Sequence, residues 1–190
     1  MKSFSDQQKG SLLAFVAVMF ITPDSLFIRL SSVDTWGLVF YRGVIPFFTV
    51  LIGMLIIYKM NFFNMLLTSG YHGLIYIFTF SITNITFIVS IQNTSVANTL
   101  VMIALAPMLS AILGAIFLKE MPDKKTWIAI AVTFIAAVYI FYDSLKLGSI
   151  YGDVLGFITA LGLAVGAVTI RSAKRKNLVP AAVVGKLFVA

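Results

Sequence analysis

Residues 73–91 read GLIYIFTFSITNITFIVSI, and this stretch decides the fold class because it holds no charged side chain. At a rise of about 1.5 Å per residue, an α-helix of this length nearly crosses a hydrocarbon core about 30 Å thick. Lipid offers no hydrogen bonds to the backbone, so an apolar segment of this length must satisfy its own amides and carbonyls. We therefore expect a membrane-spanning helix here.

The rest of the sequence has the same character. The chain of 190 residues is 60% hydrophobic and 11% charged, whereas soluble domains average about 45–50% and about 25%. These values exclude an ordinary soluble enzyme and a disordered tail, and the absence of cysteine excludes a disulfide scaffold and a thiolate metal site. The fold predicted is an all-α integral membrane protein. Its other predicted spans are Gly10–Ile28, Trp36–Tyr58, Ala97–Leu118, Trp127–Tyr142 and Val154–Ile170, with a seventh beginning at Pro180.

The lysines and arginines between the spans indicate the orientation. Only Arg29 and Lys146 fall in the loops of one side. Ten others fall on the opposite side: Lys2, Lys9, Lys59, Lys119, Lys124, Lys125, Arg171, Lys174, Arg175 and Lys176. The positive-inside rule then places the N-terminus in the cytoplasm. Membrane topology explains the net charge of +7 without nucleic-acid binding.

An internal repeat relates the sixth span to the first. With a constant offset, Gly10, Leu13, Phe15, Ile28 and Arg29 match Gly152, Leu155, Phe157, Ile170 and Arg171. The second copy begins after five spans, and because five is odd, it enters the membrane from the opposite face. We expect a bundle of inverted five-helix repeats, the architecture of many secondary transporters. The first repeat would be residues 1–147 and the second, incomplete, residues 148–190, as in a fragment of a longer protein.

Two stretches carry a resemblance to a known family. They are Gln92–Leu100 (QNTSVANTL) with Leu105-Ala106-Pro107 and Phe117–Glu120 (FLKE), and Thr22–Arg29 (TPDSLFIR) with Phe40-Tyr41-Arg42. These resemble the EamA-type transporters of the drug/metabolite transporter superfamily. The resemblance implies ten helices, cytoplasmic termini, a bacterial inner membrane and export of a metabolite or drug.

Two charged residues lie within the first two spans. Asp24 follows Pro23, and a charge inside a span costs about 2.5–3.5 kcal/mol at the bilayer centre. Asp24 either lines the translocation path and binds a proton or other cation, or pairs near the outer headgroups with Arg29 or Arg42. Arg42 either holds an anionic substrate group or locks helices one and two together through Asp24 or Asp34.

Neutral polar side chains form one face of helix three at spacings of three and four residues: Tyr76, Thr79, Thr83, Thr86 and Ser90. They either hold helices together or line a cavity for a polar metabolite. The substrate-binding candidates are Asp24, Arg42, Tyr76, Thr79, Thr83, Asn84 and Asn98. The residues expected to serve gating or close helix packing are Pro23, Pro107, Ser110, Gly114, Gly162 and Gly166. Lys186, in the seventh segment, is another residue that could reach a cavity.

The sequence has no phosphate-binding glycine loop and no Ser-His-Asp set, and its single His72 cannot form an imidazole metal cluster. We therefore expect no enzyme activity, no cofactor and no metal. The expected function is secondary transport of a small molecule by alternating access. The alternative is a non-transporting membrane remnant or an assembly partner. The expected partners are the substrate, the lipid bilayer and, through Asp24, a proton; substrate identity, transport direction and homodimerisation stay open.

Overall fold

The computed structural model describes residues 6–21, 23–59, 61–147, 149–174 and 176–190. All the regular structure in these ranges is helical, and four of the helical stretches are long and apolar enough to cross a bilayer, so the chain is an all-α membrane protein. The elements are α1 (Asp6–Ile21), α2 (Asp24–Leu30), α3 (Thr35–Tyr58), α4 (Asn61–Asn93), α5 (Val96–Ile103), α6 (Ala106–Leu113), a π-helical turn (Gly114–Leu118), α7 (Lys124–Leu147), α8 (Ile150–Ser172) and α9 (Val179–Val189). Lys2, Thr22, Gly148 and Arg175, used in the charge count, the family motif and the repeat boundary, lie outside the described residues.

Four of the described helical stretches are long and apolar enough to cross a bilayer. They are α3, α4, the stretch Val96–Leu118 that contains α5 and α6, and α8. Each matches a predicted span within a few residues at most ends. The α4 helix begins earlier, at Asn61, but it is kinked at Gly70 (φ 55°, ψ −140°). Because an L side chain is strained at that positive φ, glycine allows the chain to turn there before the predicted span begins.

Prolines divide two of the predicted spans. In the first, α1 ends at Ile21 and α2 begins at Asp24, with Pro23 at the N-terminal end of α2. In the fourth, α5 ends at Ile103 and Pro107 lies in the first turn of α6. Pro107 has no N–H to donate to the carbonyl of Ile103, which explains why the helical ladder is interrupted there.

Side chains stabilise the beginnings of three helices. Asp34 accepts a hydrogen bond from the Gly37 N–H (3.0 Å) at the start of α3, and Ser95 caps α5 through the Asn98 N–H (3.0 Å). Asp123, in the exposed turn before α7, accepts from the hydroxyl and the backbone N–H of Thr126. These two hydrogen bonds hold the pKa of the Asp123 carboxyl below its usual value. Such caps satisfy amides that have no partner within the helix.

The chain divides into two compact units, one ending at Ser32 and the other comprising Val33–Ala190. The first holds α1 and α2. In the second, one apolar cluster joins Val39, Ile88 and Val189, and another joins Met54, Phe62 and Val183. Both clusters contain α3, α4 and α9. Their order along each helix shows that α3 runs antiparallel to α4 and to α9.

The α8 helix packs against both α4 and the α5–α6 stretch. Small residues bring its backbone close to these neighbours. A Cβ atom added at Gly152 would lie 2.7 Å from backbone atoms of Asn93 and Thr94, and one at Gly156 would lie 3.1 Å from the Met102 Cβ. A third apolar cluster, formed by Met102, Leu105, Met108, Ala137 and Ala160, joins α8 to α5, α6 and α7.

Gly152 allows a test of this close approach. The Gly152→Ala substitution places a methyl group against backbone that cannot rotate away, so we expect the free energy of unfolding to fall by about 1–3 kcal/mol. The matched control is Gly53→Ala in α3, where an added Cβ meets nothing within 4 Å. Alanine favours the helix, so this control should leave stability unchanged or raise it by up to about 1 kcal/mol. SDS-induced unfolding of the purified protein in detergent measures both, and equal effects would contradict the packing described.

Candidate functional site

The α4–α8 interface contains the polar face predicted on helix three. The helices run antiparallel, and polar or small residues meet at successive levels. The Ser90 hydroxyl donates to the Gly152 carbonyl (2.7 Å), and the Thr86 and Thr159 hydroxyls share a hydrogen bond of 2.8 Å. Further along, Gly162 faces Thr83 and Gly166 faces Tyr76. This polar face therefore lies against α8 rather than against lipid.

One end of α8 is attached through a buried carboxylate. Asp153, in the first turn of α8, is fully buried and accepts a hydrogen bond from the Thr94 hydroxyl (2.7 Å) and a longer one from Ser149 (3.4 Å). Asn98 donates in turn to the Thr94 hydroxyl at 3.4 Å. We call Thr94, Ser149 and Asp153 the Asp153 cluster. It joins α8 to the turn between α4 and α5, and the helix N-terminus favours the negative charge placed there.

The other end of α8 is attached through a guanidinium. Arg171 donates to the Glu120 carboxylate (2.9 Å) and, through its other terminal nitrogen, to the carbonyl (2.9 Å) and hydroxyl (2.8 Å) of Ser110. The guanidinium lies against Gly114, where an added Cβ would be only 3.1 Å away. We call Ser110, Glu120 and Arg171 the Arg171 cluster. It joins the end of α8 to α6 and to the turn that follows the π-helical segment.

The two clusters lie at opposite ends of one membrane span. From Asp153 to Arg171, α8 rises by about 27 Å at 1.5 Å per residue, close to the thickness of a bilayer core. They differ in exposure: Asp153 is 0% exposed, whereas the side chains of Arg171 and Glu120 are 41% and 54% exposed. The Arg171–Glu120 ion pair is therefore open to the surroundings, whereas the Asp153 carboxylate is not.

A family model decides the class of protein. The model of the EamA-like transporter family matches residues 8–142, which is more than half of the chain. The chain belongs to the EamA-like transporter family. Neither a curated protein nor a solved structure matches it. In this EamA-like protein the range that matches the family model ends within α7, so α8 and α9 do not contribute to the family assignment.

Two of the candidate residues, Asp24 and Pro23, lie in the first unit of the EamA-like protein. Asp24, which is half-buried, is in the first turn of α2, and Arg29 is in its last turn. Pro23 precedes Asp24 and its carbonyl accepts the Phe27 N–H at 3.0 Å. The predicted pairing of Asp24 with Arg42, which lies in the other unit, stays a prediction.

The remaining substrate-binding candidates lie in the second unit. Arg42, half-buried in α3, has its Cζ 6.0 Å from the centre of the Phe87 ring of α4. Thr79 and Thr83 donate to carbonyls one turn earlier in α4, those of Ile75 and Thr79, at 2.7 Å each. These hydroxyls are satisfied within their own helix. Tyr76 and Asn84 are half-buried on the same helix, and Asn98 joins the Asp153 cluster through Thr94.

The candidates for gating or packing contact α8 or interrupt a helix. Ser110 and Gly114 contact Arg171, whereas Gly162 and Gly166 belong to α8 itself and face α4. Pro107 lies where α5 gives way to α6. Sequence reasoning thus named one partner of the Arg171 cluster, Ser110, and used Glu120 only as part of the family motif.

Sequence reasoning missed Asp153 and Arg171 as site residues. Asp153 was not singled out, and Arg171 entered only the charge count and the repeat alignment. A signal for Asp153 was available, since it is the sole acidic residue between Gly152 and Ile170 and lies at the start of a span. No comparable signal identified Arg171, because its partners are about 50 to 60 residues away in sequence. No group of three or more His, Cys, Asp or Glu residues that could hold a metal occurs within the described ranges.

The two clusters should differ in how much each stabilises the fold. Thr94→Val removes the closest donor from a buried carboxylate, so we expect the free energy of unfolding to fall by about 1.5–3 kcal/mol. Glu120→Gln removes the charge from a half-exposed ion pair, for which we expect a loss of about 0–1 kcal/mol. Both variants are measured by SDS-induced unfolding in detergent. A larger effect of Glu120→Gln than of Thr94→Val would contradict the assignment of the Asp153 cluster as the stronger attachment.

Proposed function

We propose that the protein is a secondary transporter that exports a small metabolite by alternating access, with α8 as the helix whose two ends are released in turn. The observation that carries this proposal is the attachment of α8 by separate polar clusters at its two ends. Polar residues lie between these ends, at Thr86, Thr159 and Asn84. Transport of this kind needs closure on each side of a site near the membrane midplane, and helix ends joined by hydrogen bonds can supply it.

The direction of the helices supports an inverted arrangement. The helices α3 and α9 would be the second members of the two repeats, and they run antiparallel, as inverted repeats require. The α8 helix, which would begin the second repeat, runs antiparallel to α4 and therefore parallel to α3. In a bundle of this kind, rocking of one repeat against the other opens the contacts at one end of α8 while it closes those at the other end.

The charge distribution supports an orientation of the two clusters in the membrane. With the N-terminus in the cytoplasm, the Arg171 cluster faces the cytoplasm and the Asp153 cluster faces the opposite side. The exposed Arg171–Glu120 ion pair then closes the cytoplasmic side, where water reaches it. Because exposed ion pairs contribute about 0–1 kcal/mol, this closure can open at small cost.

Substrate binding is assigned to the midplane, between the polar face of α4 and its neighbours. The proposed binding residues are Arg42, Tyr76, Asn84 and Asn98 of the second unit, with Asp24 as the carboxylate that binds the coupling proton. The sequence has no nucleotide-binding loop, so an ion gradient is the energy source that fits this chain. The lipid bilayer, taken to be a bacterial inner membrane, and a small-molecule substrate are its expected partners, and catalysis is not part of the proposal.

Flux through proteoliposomes tests the proposal. We expect the purified full chain to release at least one class among loaded amino acids, nucleosides or cationic dyes faster than protein-free vesicles do when a pH gradient is imposed. Asp24→Asn should reduce the pH-driven component at least tenfold, because the amide cannot take up a proton. Asp34→Asn is the matched control: asparagine caps a helix as well as aspartate does, so flux should be unchanged.

Two results would count against parts of this proposal. If no substrate class crosses the membrane faster than in protein-free vesicles, transport by this chain is wrong and the alternative of a non-transporting membrane protein is favoured. If flux is present but Asp24→Asn leaves its pH dependence unchanged, the proton role of Asp24 is wrong and the transport proposal stands.

A further inference from the structure

A lysine lies near the middle of the membrane span, on the last helix. Lys186 belongs to α9, and its Nζ donates to the Asn84 Oδ1 at 2.5 Å. Asn84 is eleven residues beyond Gly73, where the predicted span begins, so it lies about 16 Å into a core about 30 Å thick. A charge at this depth costs about 2.5–3.5 kcal/mol on insertion scales. Ionisable residues within spans therefore usually mark a functional site.

The close packing of α9 on α4 determines where this lysine lies. A Cβ added at Gly185 would be 3.0 Å from the Phe80 ring and 3.3 Å from the Ile77 carbonyl. The Ser81 hydroxyl lies 2.8 Å from both the Ile77 and the Gly185 carbonyls. The residue before Lys186 is thus fixed against α4, which directs the lysine side chain to the next turn of that helix.

Asn84 and the Phe80 ring lie beside the ammonium. The Asn84 Nδ2 donates to the Phe80 carbonyl at 2.7 Å, which orients Oδ1 toward Lys186. The Lys186 Nζ also lies 5.2 Å from the centre of the Phe80 ring, a cation–π distance. Tyr76 stacks on Phe80 with ring centres 5.7 Å apart. All four side chains are half-buried. We call Tyr76, Phe80, Asn84 and Lys186 the Lys186 cluster.

We propose that the Lys186 cluster is the recognition site for a carboxylate-bearing substrate, with the ammonium binding the carboxylate and the Tyr76–Phe80 ring pair contacting the apolar body of the molecule. This inference rests on the proposed transport function and specifies its substrate class as small organic acids. The site draws on a helix of each predicted repeat, α4 and α9, as expected for a site at a repeat interface.

The chemistry of the cluster favours a carboxylate over a neutral or cationic ligand. A lysine ammonium is positively charged and has three N–H donors, so it can bind a carboxylate through charge as well as through hydrogen bonds. Hydrogen bonds between charged groups are roughly twice as strong as neutral ones, and they strengthen where water is excluded. A cationic ligand would be repelled by Lys186. An amide of the same shape would lose the charge interaction.

Binding in detergent tests the proposal without requiring transport. The probes are acetate, benzoate and indole-3-acetate, each compared with its neutral amide by isothermal titration to the purified full chain. We expect at least one carboxylate to bind at least tenfold more tightly than its amide. Lys186→Met should abolish this preference and Lys186→Arg should retain it. Lys176→Met, which removes the same charge from an exposed residue after α8, should have no effect.

Asn84→Asp is the sharpest variant because it changes almost no volume. It places a carboxylate within contact distance of Lys186, which then pairs with the ammonium in place of a ligand. We therefore expect the affinity for carboxylate ligands to fall at least tenfold. Monodisperse gel filtration of each variant shows that it is folded.

Three results would overturn the proposal: equal binding of every carboxylate and its amide, unchanged preference in Lys186→Met, or unchanged affinity in Asn84→Asp. The test also separates the two proposals. A chain that binds carboxylates through Lys186 but carries no flux contradicts transport and leaves the binding site in place. A chain that carries flux of neutral or cationic solutes but binds no carboxylate more tightly than its amide contradicts the carboxylate site and leaves transport in place.

Discussion

The close approach of the α8 backbone to α4 is the constraint on which the other contacts in the second unit depend. Lipid supplies no hydrophobic driving force between helices, so association depends on backbone proximity and on hydrogen bonds between helices. Gly152, Gly156 and Gly162 have no Cβ to hold α4 away. Only because of this proximity can Ser90 reach the Gly152 carbonyl and Thr86 reach Thr159. Larger residues at these glycines would separate the helices and remove both hydrogen bonds.

The charged groups of α8 and α9 differ in depth and exposure, and each has a different kind of partner. The carboxylate of Asp153 is buried and has hydroxyl donors, whereas the guanidinium of Arg171 is half-exposed and has a carboxylate partner. Lys186 lies between these levels, beside an amide and an aromatic ring. If α8 is held firmly at its Asp153 end and weakly at its Arg171 end, it can pivot about the firm end. Lys186, at mid-depth, then lies where the proposed transport would enclose a ligand. The physical basis of the proposed function is this gradient in attachment strength.

Composition and periodicity predicted the positions of most helices, because lipid requires long apolar helical segments. The second, fourth and sixth predicted spans agree with the structure within a few residues at most ends, and Pro23 and Pro107 mark real helix breaks. The polar face of helix three was also recognised. What it contacts could not be inferred, because the partners of Ser90, Thr94 and Ser110 are about 60 residues away in sequence. Single-sequence patterns report which face of a helix is polar and not which helix covers it, so Asp153 and Arg171 were not identified.

The proposed release of α8 at one end at a time is tested most directly by pulsed EPR distances. The chain has no native cysteine, so spin labels can be attached through cysteines introduced at two pairs of exposed sites. Met121 and Lys174 report on the Arg171 end, and Asn93 and Tyr151 report on the Asp153 end. In lipid nanodiscs, alternating access predicts short and long distances at each end. Glu120→Gln should increase the long population at the Arg171 end and decrease it at the Asp153 end. A single unchanged distance at both ends, or simultaneous lengthening at both, would contradict it.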